Sequence, residues 1–152
     1  MEKKQWILVS VAVLLAGIYV CFFTAWFRPQ TIQIFSVTRP ERNARIGARV
    51  KAANKDTAIV TFGLNEPYRL TEIKVVPLAK WETNHDALPL WHLISDSNSV
   101  PVKAFPYGAM LRGMKPAIAR TWPQPLEPNV TYRLFVSAGS HKGEHDFTPP
   151  PK

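Results

Sequence analysis

The ten residues Asn129-Val-Thr-Tyr-Arg-Leu-Phe-Val-Ser-Ala138 decide the fold class, because apolar and polar side chains alternate along them. Successive side chains of a β-strand point to opposite faces of its sheet. One face of this stretch would carry five apolar residues, which are Val130, Tyr132, Leu134, Val136 and Ala138. The other face would carry Thr131, Arg133 and Ser137, with Phe135 as its one apolar residue. The pattern predicts a strand of an antiparallel sheet with one buried face and one face in solvent.

Six other short stretches have a similar character and are separated by Pro, Asn, Asp and Gly. No long amphipathic helix interrupts them. Strands with turn residues about every ten positions favour an all-β fold in which two sheets form a sandwich. Together with the stretch above, the predicted strands are Thr31–Thr38, Thr57–Leu64, Leu70–Leu78, Pro89–Ser95, Val100–Phe105, Asn129–Ala138 and Gly143–Thr148.

The chain begins with a segment of a different kind, since the 22 residues Trp6–Phe27 contain no charge. A helix of that length spans about 33 Å, which is enough to cross a bilayer once. The run is too long for a typical cleaved signal peptide and lacks a small-residue cleavage site, so we expect a retained anchor. The expected membrane-interface residues are Trp6, Trp26, Lys3, Lys4 and Arg28.

We therefore divide the chain into a short tail (1–5), a transmembrane helix (6–27), a linker (28–30), a β-sandwich domain (31–148) and an extended tail (149–152). Orientation is less direct, because more basic residues follow the helix than precede it. That charge rule is weak when a long, folded region follows the helix. We expect the N-terminus in the cytoplasm and the domain outside it, which in a bacterium is the periplasm.

The sequence Leu126-Glu-Pro128-Asn-Val-Thr-Tyr132 looks like the Leu-x-Pro-x-x-x-Tyr corner of fibronectin type III domains, where the tyrosine hydroxyl bonds back to the backbone. Ala58–Phe62 and Ile73–Val75 resemble the second and third strands of that family, with Phe62 in place of its usual Trp. The resemblance implies an immunoglobulin-like sandwich over residues 57–148 with Leu126, Pro128 and Tyr132 as a structural corner. It does not extend to residues 101–125, and it implies no particular partner.

Most of the positive charge of the domain lies between Arg39 and Lys55, where six basic residues accompany a single acid, Glu41. Basic residues near a bilayer bind anionic headgroups. The candidate residues for such contact are Arg39, Arg42, Arg45 and Arg49. The plainer interpretation is a solvated surface loop. Nucleic acid is not an expected partner, because no recognition motif accompanies the charge and the domain is expected outside the cytoplasm.

Histidines and methionines suggest a second alternative, a copper-binding or redox accessory protein. Its candidate residues are His92, His141, His145, Met110 and Met114. We interpret Lys142-Gly143 as a hairpin turn, which would pair His141 with Glu144 and send His145 to the opposite face. No cofactor or metal is expected on this geometry. The one cysteine, Cys21, lies in the apolar segment and no Gly-x-Ser-x-Gly motif is present, so catalysis is not expected either.

Exposed aromatic residues would provide a binding surface if the fold places them side by side. Trp91 alternates with Leu93 on a predicted strand and is expected in the core, whereas Trp81, Tyr107 and Trp122 could form an exposed patch of the kind found at interface hot spots. The sequence thus predicts a single-pass, membrane-anchored and non-catalytic β-sandwich module. We expect its partners to be the lipid bilayer and a protein of the envelope that it binds or assembles with.

Overall fold

The computed structural model describes residues 3–23, 31–39, 47–96 and 98–152. It begins with helix α1 (Lys3–Phe23), whose residues from Lys3 to Phe22 are exposed. Within the described residues, α1 is the one helix that is long and apolar enough to cross a membrane. The helix contains the predicted start of the transmembrane segment at Trp6, whereas the predicted end at Phe27 lies outside the described residues.

The rest of the described chain is mostly β. Its elements in chain order are β1 (Ile34–Arg39), α2 (Ala48–Ala53), β2 (Ile59–Tyr68), β3 (Glu72–Pro77), α3 (Leu78–Thr83), β4 (Trp91–Ile94), β5 (Val102–Pro106), β6 (Lys115–Pro116), β7 (Tyr132–Ala138) and β8 (His141–Phe147). They form two antiparallel sheets with the strand orders β1-β2-β5 and β6-β4-β3-β7-β8. The expected all-β architecture of two sheets is therefore present.

One hydrophobic core contains residues from both sheets. The ring of Phe62 on β2 lies 5.7 Å from that of Phe105 and 4.8 Å from that of Phe147, so it connects the two sheets. Aromatic side chains bury large apolar areas and dominate the energetics of such cores. On β7 the burial alternates as predicted, with Tyr132, Leu134 and Val136 buried.

The start of the domain crosses from one sheet to the other. Thr31 forms a parallel bridge with Lys142 of β8, and the N–H of Ile32 donates to the Lys142 carbonyl at 2.9 Å. From Ile34 onward the chain pairs with β2 instead. Gly143 permits the crossing, because a Cβ at that position would lie 2.5 Å from the carbonyl oxygen of Ile32. The segment that opens the domain thus pairs first with one sheet and then with the other.

The hairpin between β7 and β8 differs from the prediction. The turn is formed by residues 139–140 and not by Lys142-Gly143, so β8 begins at His141. Gly139 has φ 63°, a left-handed conformation that glycine adopts readily. Glu144 pairs with Phe135 rather than with His141. His141 and His145, four residues apart on one strand, therefore point to the same face instead of opposite faces.

Each predicted strand overlaps an observed one, but the elements between them were not predicted. Helices α2 and α3 have six residues each and β6 has two. Elements this short do not repeat a periodic pattern often enough to be recognised. Helix α2 and the long connection from β5 to β7 form walls of a groove beside β4.

Candidate interaction groove

A groove of about 150 Å³ runs along β4, and we call it the lateral groove. Trp91 and Leu93 of β4 lie at its base. Its walls come from residues 88–90 before β4, residues 108–110 after β5, the loop 116–124 and Arg49 of α2. The site therefore combines one regular strand with three connecting segments and one short helix.

The loop 116–124 is attached to β4 at both ends. The N–H of Ala117 donates to the carbonyl of His92 at 3.1 Å, and the N–H of Gln124 donates to that of Leu90 at 3.0 Å. The hydroxyl of Tyr107, which is fully buried, donates to the carbonyl of Gln124 at 2.8 Å. Burial raises the pKa of Tyr107 far above its usual range, so the hydroxyl keeps its proton and remains a donor. These bonds leave residues 118–123 to project from the edge of the sheet.

A tight turn shapes the projecting part of the loop. The N–H of Thr121 donates to the carbonyl of Ile118 at 3.2 Å, and Arg120 has φ 64°. A left-handed residue at the third position is the mark of a type II turn, where Gly or Asn is usual. The turn brings Ile118 and Trp122 to its two sides.

Large apolar side chains stand in solvent around this groove. The exposed fractions are 81% for Leu88, 43% for Met110, 63% for Ile118 and 59% for Trp122. Within residues 47–96 and 98–152, Val100 is the one other large apolar residue with comparable exposure. Single exposed apolar residues are common on proteins, but a cluster around a concave site marks an interaction surface.

Helix α2 is held against the groove by its C-terminal cap. The side-chain amide of Asn54 donates to the carbonyls of Val50 at 2.8 Å and Tyr107 at 3.3 Å. Gly108, with φ 83°, packs so closely that a Cβ there would lie 2.7 Å from the Cβ of Ala53. The backbone of α2 is thereby fixed beside the turn that follows β5.

This placement puts the guanidinium of Arg49 over the ring of Trp122, 4.4 Å from its centroid. Stacking of this kind is a cation–π interaction. Among the described residues, Arg49 forms no ion pair with a carboxylate. Among the described residues that line the groove, none is acidic and Arg49 is the one arginine or lysine.

The residues of the predicted basic stretch do not form a single surface that the structure describes. Arg39 is the exposed last residue of β1, and Arg49 is the half-buried groove residue on α2. Arg42 and Arg45 lie outside the described residues. For the membrane interface, Lys3, Lys4 and Trp6 are exposed on α1, whereas Trp26 and Arg28 lie outside the described residues.

The three predicted corner residues lie just before and at the start of β7. The hydroxyl of Tyr132 accepts a hydrogen bond from the backbone N–H of Glu127 at 2.9 Å. Leu126 is buried and its N–H donates to the carbonyl of Ala53 at 3.0 Å, while Pro128 is half-buried at the turn. The corner thus fixes the exit of the groove loop onto β7.

The aromatic patch imagined from the sequence does not form, because Tyr107 is buried in the core. Trp81 of α3 packs elsewhere, 4.8 Å from the ring of Phe135 and 5.0 Å from the ammonium of Lys74. Trp122 lies in the groove instead, and Trp91 is buried as predicted. Sequence reasoning missed Leu88 and Ile118, because an isolated apolar residue in a proline-rich loop carries no signal of whether it is exposed.

The candidate metal-binding residues occupy separate places. His145 Nε2 lies 3.0 Å from Ser36 Oγ, the ring of His141 lies 5.8 Å from that of Tyr68, and His92 pairs with Glu72 at 2.9 Å. Met110 lines the groove and Met114 packs in the core. The described residues contain no group of three or more His, Cys, Asp or Glu that could hold a metal ion.

No protein-family model, curated protein or solved structure matches this chain. The lateral groove is therefore the feature from which a function can be inferred.

Proposed function

We propose that this chain is a single-pass, membrane-anchored and non-catalytic module that binds a partner protein in the cell envelope. Helix α1 would hold it in the bilayer, with the N-terminus in the cytoplasm and the domain outside, in the periplasm of a bacterium. The observation that carries the proposal is the lateral groove, where Leu88, Ile118 and Trp122 stand in solvent around a concave apolar site. Trp and Arg, both present at its rim, are the residue types enriched at binding hot spots.

We also propose that the domain is an immunoglobulin-like sandwich of the fibronectin type III kind. In that architecture strands A, B and E share one sheet, and strands C, F and G share the other. Strands β1, β2 and β5 would then be strands A, B and E, and strands β3, β7 and β8 would be strands C, F and G. Strand β4 would be an added strand C′ beside C. The bond from Glu127 to Tyr132 supports the assignment, since the tyrosine of such corners stands near the start of strand F.

The size of the groove favours a protein side chain over a cofactor. Pockets for drug-sized ligands have volumes of roughly 300 to 1,000 Å³. A cavity of about 150 Å³ holds one benzene ring. The lateral groove is of this smaller size and is open to solvent, so it fits one large side chain presented by a partner.

Topology can be tested by cysteine labelling, because Cys21 is the single cysteine of the chain. In a Cys21→Ser background, we expect Ser140→Cys, in the exposed β7–β8 turn, to react with a membrane-impermeant maleimide in spheroplasts. Lys4→Cys should react only after lysis. Labelling in the reverse pattern would overturn the proposed orientation.

Binding can be tested by a photoreactive amino acid placed in the full chain in its native membrane. At Ile118, on the groove rim, we expect capture of one protein partner in stoichiometric yield. At Glu144, exposed on β8, the same probe serves as the matched control and should not capture that partner. Equal products from both positions, or no protein product from Ile118, would contradict the proposal.

A further inference from the structure

We infer that the lateral groove recognises an acidic segment of a partner protein, with one apolar side chain in the groove and a neighbouring carboxylate on Arg49. This inference rests on the proposed protein-binding function and adds the chemistry of the partner to it. Three observations carry it: the size and lining of the groove, the state of Arg49, and the charge around the rim.

The groove provides a place for one anchor residue. Its base is formed by the buried side chains of Trp91 and Leu93, and its rim by Ile118 and Trp122. A ring or branched aliphatic side chain entering it would remove these exposed rim residues from water. Burial of such a residue stabilises the complex in proportion to the apolar area that leaves water, before the costs of association. One anchor of this kind gives little discrimination among apolar side chains, so selectivity must come from groups beside it.

Arg49 is available to supply that selectivity. The guanidinium carbon of Arg49 lies over the Trp122 ring, and the five N–H donors of an arginine surround that carbon in the guanidinium plane. Stacking therefore orients the group and leaves donors for a carboxylate, which arginine binds in a two-point geometry. No described carboxylate occupies that position. The half-buried Arg49 is thus a preorganised hydrogen-bond donor for the carboxylate of an acidic side chain.

The charge around the rim extends the same preference. The segment 108–124, which provides two walls of the groove, contains Arg112, Lys115 and Arg120 and no acidic residue. Lys115 is paired with Asp96 at 2.8 Å, whereas Arg120 stands exposed between the two apolar rim residues of its turn. Complementary charge steers association and suppresses wrong partners. A second copy of this chain, which carries net charge +8, is therefore a poor occupant.

The test uses the full chain in nanodiscs of neutral phosphatidylcholine, so that basic residues have no anionic lipid to bind. The probes are three fluorescein-labelled peptides: one Phe with two Glu on each side, the same peptide with Gln for Glu, and the Glu peptide with Ala for Phe. By fluorescence anisotropy we expect the Glu–Phe peptide to bind about tenfold more tightly than its Gln counterpart, as one charge-assisted contact implies. The Ala peptide should bind most weakly.

Variants of the chain assign the preference to one residue. Arg49→Gln should abolish the difference between the Glu and Gln peptides, and Arg49→Lys should retain part of it. Arg69→Gln, which removes the same charge at an exposed site beyond β2, should leave the difference unchanged. Equal binding of the Glu and Gln peptides, equal effects of Arg49→Gln and Arg69→Gln, or no binding of any peptide would overturn the inference.

Crosslinking from Ile118 separates this inference from the proposed function. If the wild-type chain and Arg49→Gln capture the same partner in equal yield, the acidic preference is wrong and the binding function remains. If the wild-type chain captures no protein from Ile118, the binding function itself is wrong.

Discussion

At the scale of single residues, Tyr132 shows how one hydroxyl holds a corner. Its ring is buried and stacks 5.7 Å from that of Phe147, and its hydroxyl accepts the N–H of Glu127. Tyr132→Phe keeps the ring and leaves that N–H without its partner. We expect a loss of about 1 kcal/mol in the free energy of unfolding, measured by urea denaturation. Tyr68→Phe is the control. If Tyr68→Phe lowered the free energy of unfolding as much as Tyr132→Phe does, the corner assignment would be contradicted.

Arg120 holds a backbone conformation that suits another residue type. Its φ of 64° belongs to the left-handed region, which costs a residue with a Cβ about 1 kcal/mol or more. Arg120→Gly should therefore be more stable than Arg120→Ala by about 0.5 to 1 kcal/mol. Both variants lose the arginine side chain, but only the glycine variant also relieves the backbone strain. Thermal unfolding of the two variants measures the difference. A more stable alanine variant would show that the turn is not strained.

At the scale of elements, Gly143 decides whether the start of the domain can cross β8. A methyl group there would meet the backbone of Ile32, which cannot move without opening the crossing. We expect Gly143→Ala to cost about 2 kcal/mol in urea denaturation. At Gly63 the group that would be met is the ring of Phe35, which is half exposed and can rotate away. Gly63→Ala should therefore cost less, and an equal cost at both positions would refute the argument.

The contact between β1 and β8 should respond to pH through His145. Burial lowers the pKa of His145 below its usual value, although the neighbouring Asp146 acts in the opposite direction. The unfolded chain therefore takes up this proton more readily than the folded one. The contribution of His145 to the free energy of unfolding is complete above about pH 6.5. It is lost as the pH falls through the pKa that His145 has in the folded protein.

Denaturation midpoints between pH 5 and pH 8 measure this effect. We expect the wild-type midpoint to fall on acidification more steeply than that of His145→Gln. His85→Gln, at an exposed histidine in the connection after α3, should behave as the wild type does. Identical slopes in the wild type and His145→Gln would exclude His145 as the source.

At the scale of the whole molecule, the residues that stabilise the fold differ from those proposed to bind. Trp91 is buried in the core, so Trp91→Ala should cost about 3 to 5 kcal/mol. Trp122 is mostly exposed, so Trp122→Ala should cost less than about 1 kcal/mol while it abolishes partner capture from Ile118. Thermal unfolding and crosslinking on the same samples test this. A large loss of stability in Trp122→Ala would make its role structural.

The strands could be predicted from sequence because alternation records which face of a strand is buried, as for Tyr132 and Leu134 on β7. The hairpin turn was misplaced because Gly143, which resembles a turn glycine, is required for close approach to Ile32. The groove could not be predicted, since Leu88, Ile118 and Arg49 are far apart in the chain and none of them belongs to a periodic pattern. These residues come together only because the segments that connect the strands fold back onto β4.

The crossing at the start of the domain also has a mechanical consequence. A protein held by a membrane helix at one end and by a partner at another is placed under tension, and this chain would receive that force at Thr31. Its bridge to Lys142 meets the load first, and the ladder from Ile34 to Arg39 follows. Because the first contact belongs to one sheet and the second to the other, a pull on the anchor is shared by both layers before any strand is peeled away.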